Sequence, residues 1–576
     1  MDNRSISDLF GQVADLLEVK GETAFKIRAY RTAADTLSTW PDPVDRMDEQ
    51  RLRAIPGIGK DLAARIREIA ETGACAYHQE LLAEFPVTVL DLLKLQGVGP
   101  KTVALFIAEL NVRSVGELAE AARTGRLRGL KGMGPRKEAL ILKAIEERAK
   151  DAGRHLLSET AALADELVTY LRSECGDIDL IPVGSLRRGS ETCGDLDILA
   201  VGGHERLMDI FIAHPKVERV LGHGETKSSV RLRGGYQADL RLVPSDSRGA
   251  AMQYFTGSKA HNVTLRERAV RMGFTLNEYG LFRKSDAQAV AGADEEGIYE
   301  ALGLAWVPPE LREDRGEFEA SASRRLPRLI EAADIRGDLH MHTTATDGRD
   351  TLENMAAAAH ARGYEYIAIT DHSKALAMAN GLDEHRALEH ARQVRSLNGR
   401  FEGLTLLAGI ECDILEDGSL DLADDCLAQL DVVVASIHSR FSQDEARLTD
   451  RVLRAIESPY VDILGHPTGR MLLKRDPLQF HFETIAAAAV THHVALEINC
   501  QVHRLDLNDV LAKAARERGA TLVVSTDAHS VTELGSNLQW GLRMARRAWL
   551  EPAAVLNTRT LAELRSELRR HRKDRT

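Results

Sequence analysis

The sequence predicts a multidomain chain, all-helical at its start, α+β in its middle and α/β at its end, on three observations. A Gly-X-Gly turn leading into a helix recurs three times before residue 140. Next come a short apolar strand, a polar glycine-rich loop and a second strand bearing two carboxylates, between 178 and 201. From about 336 onward, short apolar runs alternate with helical segments, and nearly every run ends in a histidine or an acid. A chain of 576 residues has room for three to five domains.

Composition narrows the class. No stretch is apolar enough to span a bilayer, and Met1-Asp-Asn-Arg-Ser5 lacks a signal pattern. Cysteines at 75, 175, 193, 412, 426 and 500 form no Cys-X-X-Cys pair, which points to a reducing cytoplasm and away from zinc fingers or a disulfide framework. The net charge of −12 argues weakly against nucleic acid, yet Arg126, Arg128, Lys131, Arg136, Lys137, Lys143, Arg148 and Lys150 make a local basic run.

In chain order, Ile6, Leu9, Phe10, Val13, Leu16 and Leu17 form one helical stripe. Gly21 punctuates it, a second helix carries Phe25, Ile27, Tyr30, Ala34 and Leu37, and Pro41 and Pro43 close the unit. The repeat then reads Ile55-Pro-Gly-Ile-Gly-Lys60, Leu95-Gln-Gly-Val-Gly-Pro-Lys101 and Leu130-Lys-Gly-Met-Gly-Pro-Arg136. Paired glycines tighten each turn and let the N–H groups of the next helix approach a phosphate. A helix over 156–173 precedes the loop Gly184–Asp197, and strands follow at 196–201, 229–233 and 237–243. Asp195 and Asp197 are two apart on a strand and so share a face, where they repel unless a cation lies between them. Asp239 stands on a strand that can pair beside theirs, and Ser185 and Arg188 lie in a loop rich in N–H groups suited to phosphate. An Asp-X-Asp alone is also an ordinary solvated strand face. Phe274–Phe282 reads as a hairpin, and the prolines and charges after Trp306 read as a linker.

These motifs together resemble a family X DNA polymerase of the polymerase beta class. Gly184-Ser185, Arg187-Arg188, Gly194-Asp195-Leu-Asp197, Asp239 and Tyr254-Phe-Thr-Gly-Ser258 carry the resemblance, over roughly 1–315. The repeat resembles the helix-hairpin-helix motif. By position, the resemblance implies that Asp195, Asp197 and Asp239 are catalytic and hold two Mg2+ or Mn2+ ions, Asp239 beside the primer 3′-hydroxyl. Ser185, Arg188 and the Gly194 backbone would hold the β- and γ-phosphates; Tyr254 and Phe255, with Gly257 in the same motif, would border the incoming sugar; Asn262 and Arg266 would line the minor-groove side of the new pair. Gly57, Gly59 and Lys60, Gly97, Gly99 and Lys101, and Gly132, Gly134 and Arg136 would meet DNA backbone. The family's lyase members place a nucleophilic lysine where this chain has Arg65; a guanidinium stays protonated, so a lyase of that design is not expected.

The last third presents Tyr366–Ile369, Leu406–Ile410, Val432–Ile437, Val461–Leu464, Val494–Ile498 and Leu522–Ser525, the rhythm of a parallel barrel whose strand ends gather an active site. It resembles the polymerase and histidinol phosphatase (PHP) domain, which implies a distorted (β/α)7 barrel. The implied ligands of up to three Mn2+ or Zn2+ ions are His340, His342, Asp347, His372, Glu411, His438, His466, Asp527 and His529. Arg440 and Arg470 could bind the scissile phosphate or serve as salt-bridge partners.

The whole resembles the bacterial and archaeal type of family X polymerase, PolX. The expected domains are an N-terminal helical domain at 1–80, a second helical domain at 81–153, a mixed-sheet nucleotidyltransferase palm at 154–248, a thumb at 249–315, a linker at 316–335 and the PHP domain at 336–576. The resemblance implies a cytoplasmic monomer that fills short gaps in DNA with deoxynucleoside triphosphates on gapped or primer-template DNA, and a 3′-5′ exonuclease, with abasic-site nicking or 3′-phosphate removal as further options. Two other readings remain: a histidinol-phosphate type phosphatase fused to a silent polymerase-like module, and a non-catalytic DNA-binding scaffold.

Overall fold

The computed structural model describes residues 3–38, 40, 44–93, 95, 98–151, 153–203, 205–441 and 443–573. Pro41, Pro43 and Gly97 therefore lie outside the described residues. The chain divides into two compact units, Met1–Ala152 with Leu376–Asn380, and Gly153–Ala375 with Gly381–Thr576.

The first unit is helical. Asn3–Lys20 buries Ile6, Phe10, Val13, Leu16 and Leu17 completely, and Ala24–Ser38 packs on it through Tyr30, whose ring meets Phe10 edge-on at 5.4 Å. The three glycine turns share one backbone bond: the amides of Ile58, Val98 and Met133 donate to the carbonyls of Ile55, Leu95 and Leu130, at 3.1, 3.1 and 3.0 Å. The apolar residue before each second glycine is buried, while Gly57, Gly59, Gly99, Gly132, Gly134 and the basic residue of each turn are exposed. Positive φ values at Gly57 (+83°) and Gly132 (+79°) explain why glycine is required at the first position of two of these turns.

The second unit begins with helix Leu157–Cys175 and a five-stranded mixed sheet, ordered Asp179–Pro182, Leu196–Val201, Gln237–Val243, Lys227–Leu232, Val217–His223. Leu196–Val201 and Gln237–Val243 run parallel; the other neighbours are antiparallel. The loop after the first strand is partly helical, with one turn at Gly184–Arg187. Helices Arg248–Thr256 and Lys259–Arg271 follow, then the expected hairpin, Phe274–Asn277 with Gly280–Arg283, extended by a third strand, Ala289–Ala291. The segment read as a linker is packed rather than solvated. Glu317–Ala322 is a helix with Glu317 and Phe318 buried, and the Ile330 amide donates to Leu550 O at 2.9 Å.

Seven parallel strands in chain order make the C-terminal barrel: Gly337–Asp338, Tyr366–Ile369, Thr405–Asp413, Val432–Ser436, Ile463–Leu464, Ala495–Asn499 and Leu522–Ser525. A parallel bridge between Met341 and Ala528, just beyond the first and last strands, brings the sheet close to closure. The strands are buried on both faces, which is why they read as near-continuous apolar runs. Among the described residues no helix is long and apolar enough to cross a membrane.

Candidate active sites

The parallel pairing in the palm sheet sets Asp197 directly beside Asp239 in register. Asp195 lies just before the strand and is exposed. The absence of a side chain at Gly184 makes room for this cluster: a Cβ there would stand 2.7 Å from Asp197 Oδ2, and its φ is +65°. Burial, then the charges of Asp195 and Asp239, push the Asp197 carboxyl up to about 7. That mutual repulsion is what a divalent cation would relieve. Lys227, which sequence reasoning passed over, places Nζ 2.9 Å from Asp239 Oδ2.

The nucleotide-contacting candidates surround these acids. The buried Ser185 Oγ has no hydrogen-bond partner. Arg188 is engaged: Nε donates to Glu313 Oε1 at 3.0 Å and Nη1 to Thr256 O at 2.5 Å. Gly194 is exposed beside the acids, and Gly257 caps the helix that bears Tyr254 and Phe255, whose rings meet edge-on at 5.1 Å. Asn262 Nδ2 donates to Tyr254 O at 2.6 Å and Asn262 Oδ1 accepts from Gln253, so this side chain is fixed by two bonds. Arg266 lies one turn on and donates to Asn262 O at 3.2 Å. Arg187 makes a bidentate pair with Glu295, both bonds 2.8 Å, and Arg312 donates to the same carboxylate at 2.6 Å. Burial opposes the Glu295 charge, but these guanidinium groups outweigh it and hold the carboxyl down at about 2.

In the barrel all nine expected ligand residues converge at the C-terminal strand ends. Three sets bring ligand-type atoms within 4.8 Å of one another: His342, Asp347, His372 and His529; His340, His342 and Asp527; His372, Glu411 and His438. His466 joins through Nε2, 2.9 Å from Glu411 Oε1. Asp195, Asp197 and Asp239 form no such set. His342 Nδ1 and His466 Nδ1 are buried without a hydrogen-bond partner, while His340 Nε2, His342 Nε2, His372 Nδ1 and Glu411 Oε2 are buried and face one another's side chains or Asp527 across ion-pair distances, such as the 2.8 Å from His372 Nδ1 to Glu411 Oε2. Orphaned buried polar atoms cost about 1–3 kcal/mol each, so the donor set fits cations. Burial and the neighbouring rings His529 and His372 push His342 down to about 4. For His438, burial opposes protonation but Glu411 and Asp413 outweigh it, raising the ring to about 9. For His529, burial again opposes, and Asp347 and Asp527 raise it to about 9. Of the carboxylates that raise these two rings, Glu411, Asp347 and Asp527 are the same groups a bound cation would take as ligands.

The backbone at two ligands is left-handed, with φ +25° at His466 and +49° at Asp527. Such strain, about 1–3 kcal/mol per residue, persists where the surroundings overdetermine the geometry. Those surroundings include three acids that sequence reasoning missed. Glu497 Oε1 pairs with His340 Nδ1 at 2.8 Å, while Oε2 accepts from the His466 amide at 2.6 Å. Asp371 accepts from Thr343 N and Oγ1, Thr346 Oγ1 and His390 Nε2, pinning the loop between His342 and Asp347. Asp413 Oδ2 sits 3.3 Å from His438 Nδ1. The available signals were an acid inside an otherwise apolar strand (Glu497) and acids one and two positions from a ligand (Asp371, Asp413). Arg440 is exposed against Glu416, and Arg470 is buried, donating to Arg504 O and Leu505 O and pairing with Glu191 at 2.7 Å. Arg470 is therefore a structural ion-pair partner and offers nothing to a phosphate.

In the first unit, helices Lys60–Thr72 and Pro100–Leu110 start at Gly59 and Gly99 with no side-chain cap, which leaves each helix N-terminus open toward an anion, although Pro100 itself carries no N–H. Lys60, Lys101, Gly132, Gly134 and Arg136 are exposed beside these turns. Arg65 lies 4.3 Å from the Tyr77 ring centroid, a cation–π contact.

Comparison with known proteins places names beside these parts. The helix-hairpin-helix domain matches residues 1–75, the SAM-like helix-hairpin-helix tandem 89–147, the DNA polymerase beta thumb 251–313 and the PHP domain 338–501. The DNA polymerase/3′-5′ exonuclease PolX of Bacillus subtilis (strain 168) is 36% identical over 578 residues, 99% of this chain and 100% of that protein. A "probable phosphatase" of Shewanella sp. (strain MR-4) is 36% identical over 208 residues, 34% of this chain and 78% of its own length. Another, of Thermoanaerobacter sp. (strain X514), is 30% identical over 234 residues, 38% of this chain and 89% of its own length.

Proposed function

The chain belongs to the PolX family of DNA polymerase/3′-5′ exonucleases, and on that premise we propose that it fills short gaps in DNA at the palm and trims DNA 3′ ends at the barrel. The observation that carries the second half is the convergence of nine imidazole and carboxylate residues at one end of the barrel. The phosphatase likenesses cover little more than a third of the chain, and they leave the palm and the helical domains without a purpose.

At the palm, Asp195, Asp197 and Asp239 would hold two Mg2+ or Mn2+ ions, which would supply charge stabilisation for phosphoryl transfer. Asp239 lies beside the primer 3′-hydroxyl and favours loss of its proton. Ser185, Arg188 and the Gly194 amide orient the β- and γ-phosphates, and Tyr254, Phe255 and Gly257 border the sugar. Asn262 and Arg266, one helical turn apart, line the minor-groove side of the nascent pair. At the barrel, His340, His342, Asp347, His372, Glu411, His438, His466, Asp527 and His529 would hold up to three Mn2+ or Zn2+ ions, which would supply Lewis-acid activation of water for phosphodiester hydrolysis. The exposed turn residues of the helical domains grip DNA backbone without reading sequence. Each site draws its candidate residues from this one chain, which is consistent with the chain working as a monomer.

The test is a one-nucleotide gapped duplex offered to the full chain with one deoxynucleoside triphosphate and Mg2+ or Mn2+, beside histidinol phosphate. Gap filling and 3′ trimming without histidinol phosphate turnover are expected. Histidinol phosphate hydrolysis with inert DNA would establish the phosphatase reading instead, and tight DNA binding with no turnover of either substrate the scaffold reading.

A further inference from the structure

The barrel touches the palm loop that carries Ser185 and Arg188. Helix Leu538–Arg547 supplies two of the contacts: Arg543 Nη1 donates to Leu186 O at 3.1 Å, and Arg547 Nη1 to Arg188 O at 3.0 Å. Arg470, also of the barrel, pairs with Glu191 at the loop's far end at 2.7 Å.

The side chains form one chain of alternating charge. Arg188 Nε and Arg547 Nη1 both donate to Glu313 Oε1, at 3.0 and 2.9 Å. Arg547 Nη2 then meets Asp509 Oδ2 at 2.8 Å, and Arg315 Nη1 meets the same oxygen at 2.9 Å. Side-chain exposure is 6% at Arg547, 11% at Asp509, 15% at Arg188 and 16% at Glu313, so these charges are largely removed from water. A carboxylate left unpaired at such a site is strongly disfavoured.

Arg188 must give up Glu313 to face a triphosphate. With Arg547 present, Glu313 keeps a guanidinium partner when Arg188 leaves; without it, Glu313 would hold Arg188 as its sole partner. We propose that Arg547, a barrel residue, is a positioning residue of the palm's nucleotide site: it shares Glu313 with Arg188 and thereby sets how readily Arg188 turns to the incoming triphosphate. This rests on the reading that Arg188 binds the β- and γ-phosphates.

Steady-state filling of a one-nucleotide gap tests it, with KM for the nucleotide and kcat measured separately for the full chain and its variants. Arg188→Met is expected to raise KM roughly tenfold or more. Arg547→Met is expected to raise KM roughly fivefold with kcat within about twofold, and Glu313→Gln to lower KM by about two- to fivefold. In the double variant the Arg547→Met effect disappears, because the shared carboxylate charge is gone. Opposite shifts from two partners of one ion pair are not what general loss of structure produces. If Arg547→Met melts early, Arg547→Lys and the Glu313→Gln shift decide. An unchanged or raised KM in Glu313→Gln, or an unchanged KM in Arg547→Met, while Arg188→Met still raises KM, overturns the proposal alone. An unchanged KM in Arg188→Met overturns the phosphate reading and the proposal with it.

Discussion

Glu411 in the barrel is 1% exposed and lies within 4 Å of five imidazoles, those of His340, His342, His372, His438 and His466. In the palm, Asp195 is open to solvent, and Asp197 faces one acidic neighbour across a strand pair. The candidate barrel ligands come from the ends of a nearly closed sheet, so backbone geometry alone brings them together. The palm acids come from two adjacent strands and a loop, so their backbone leaves the cluster open on the proposed nucleotide side. A preformed cage is hard to perturb from outside and fails abruptly when a wall is removed. An open cluster depends on its surroundings, and the neighbouring loop that bears Ser185 and Arg188 is held partly by Glu313 and by barrel residues Arg543 and Arg547. The consequences run from large to small.

Glu411→Gln should abolish 3′ trimming, a fall of at least about 100-fold, while primer extension continues. Gap assays and metal content of the purified variant check this, and retained trimming would deny Glu411 its central place. Glu497→Gln removes only the partner that orients His340 and the His466 amide, so a loss of about 10–100-fold in metal affinity is expected, read by chelator competition. An equal loss in the two variants would mean that the supporting acids matter as much as the direct ligands.

Glu295→Ala tests the palm side of the contrast. It leaves Arg187 and Arg312 buried without their shared carboxylate, for an expected loss of about 3–5 kcal/mol in denaturant unfolding of this unit. The pH dependence has a definite sign. Glu295 is depressed to about 2 in the folded chain, so its stabilisation is present above the ordinary carboxyl pKa and is lost as pH falls through about 2. Wild type should therefore lose stability between about pH 5 and 2, and the variant should lose less over the same range. Smallest of all, Lys101→Ala should weaken DNA binding similarly for all sequences and reduce the salt slope by about 1.

The convergence of the candidate barrel ligands was legible because histidines and acids closing apolar runs have few structural uses. The palm acids were legible because Asp197 and Asp239 sit on recognisable strands, and the turns because the glycine pattern repeats. What stayed hidden depends on partners remote in the chain. Glu497 lies in the buried strand Ala495–Asn499, and its partner His340 is 157 residues away. The Arg187–Glu295 pair spans 108 residues. Strand Val217–His223 shows no alternation because nearly all of it is exposed at a sheet edge. Helix Glu317–Ala322 reads as a charged tether because Glu317 is stabilised only by distant His261 and local amides. Arg470, placed near a ligand by sequence, is drawn instead to Glu191 of the palm loop.

The central claim is that one chain makes and breaks phosphodiester bonds at two sites with separate residues. Its most direct test is paired kinetics of Asp197→Ala and His342→Ala on one gapped duplex in Mn2+, both variants melting like the wild type. The account predicts that Asp197→Ala loses extension and keeps trimming, and that His342→Ala loses trimming and keeps extension. Loss of both activities in each folded variant would contradict it.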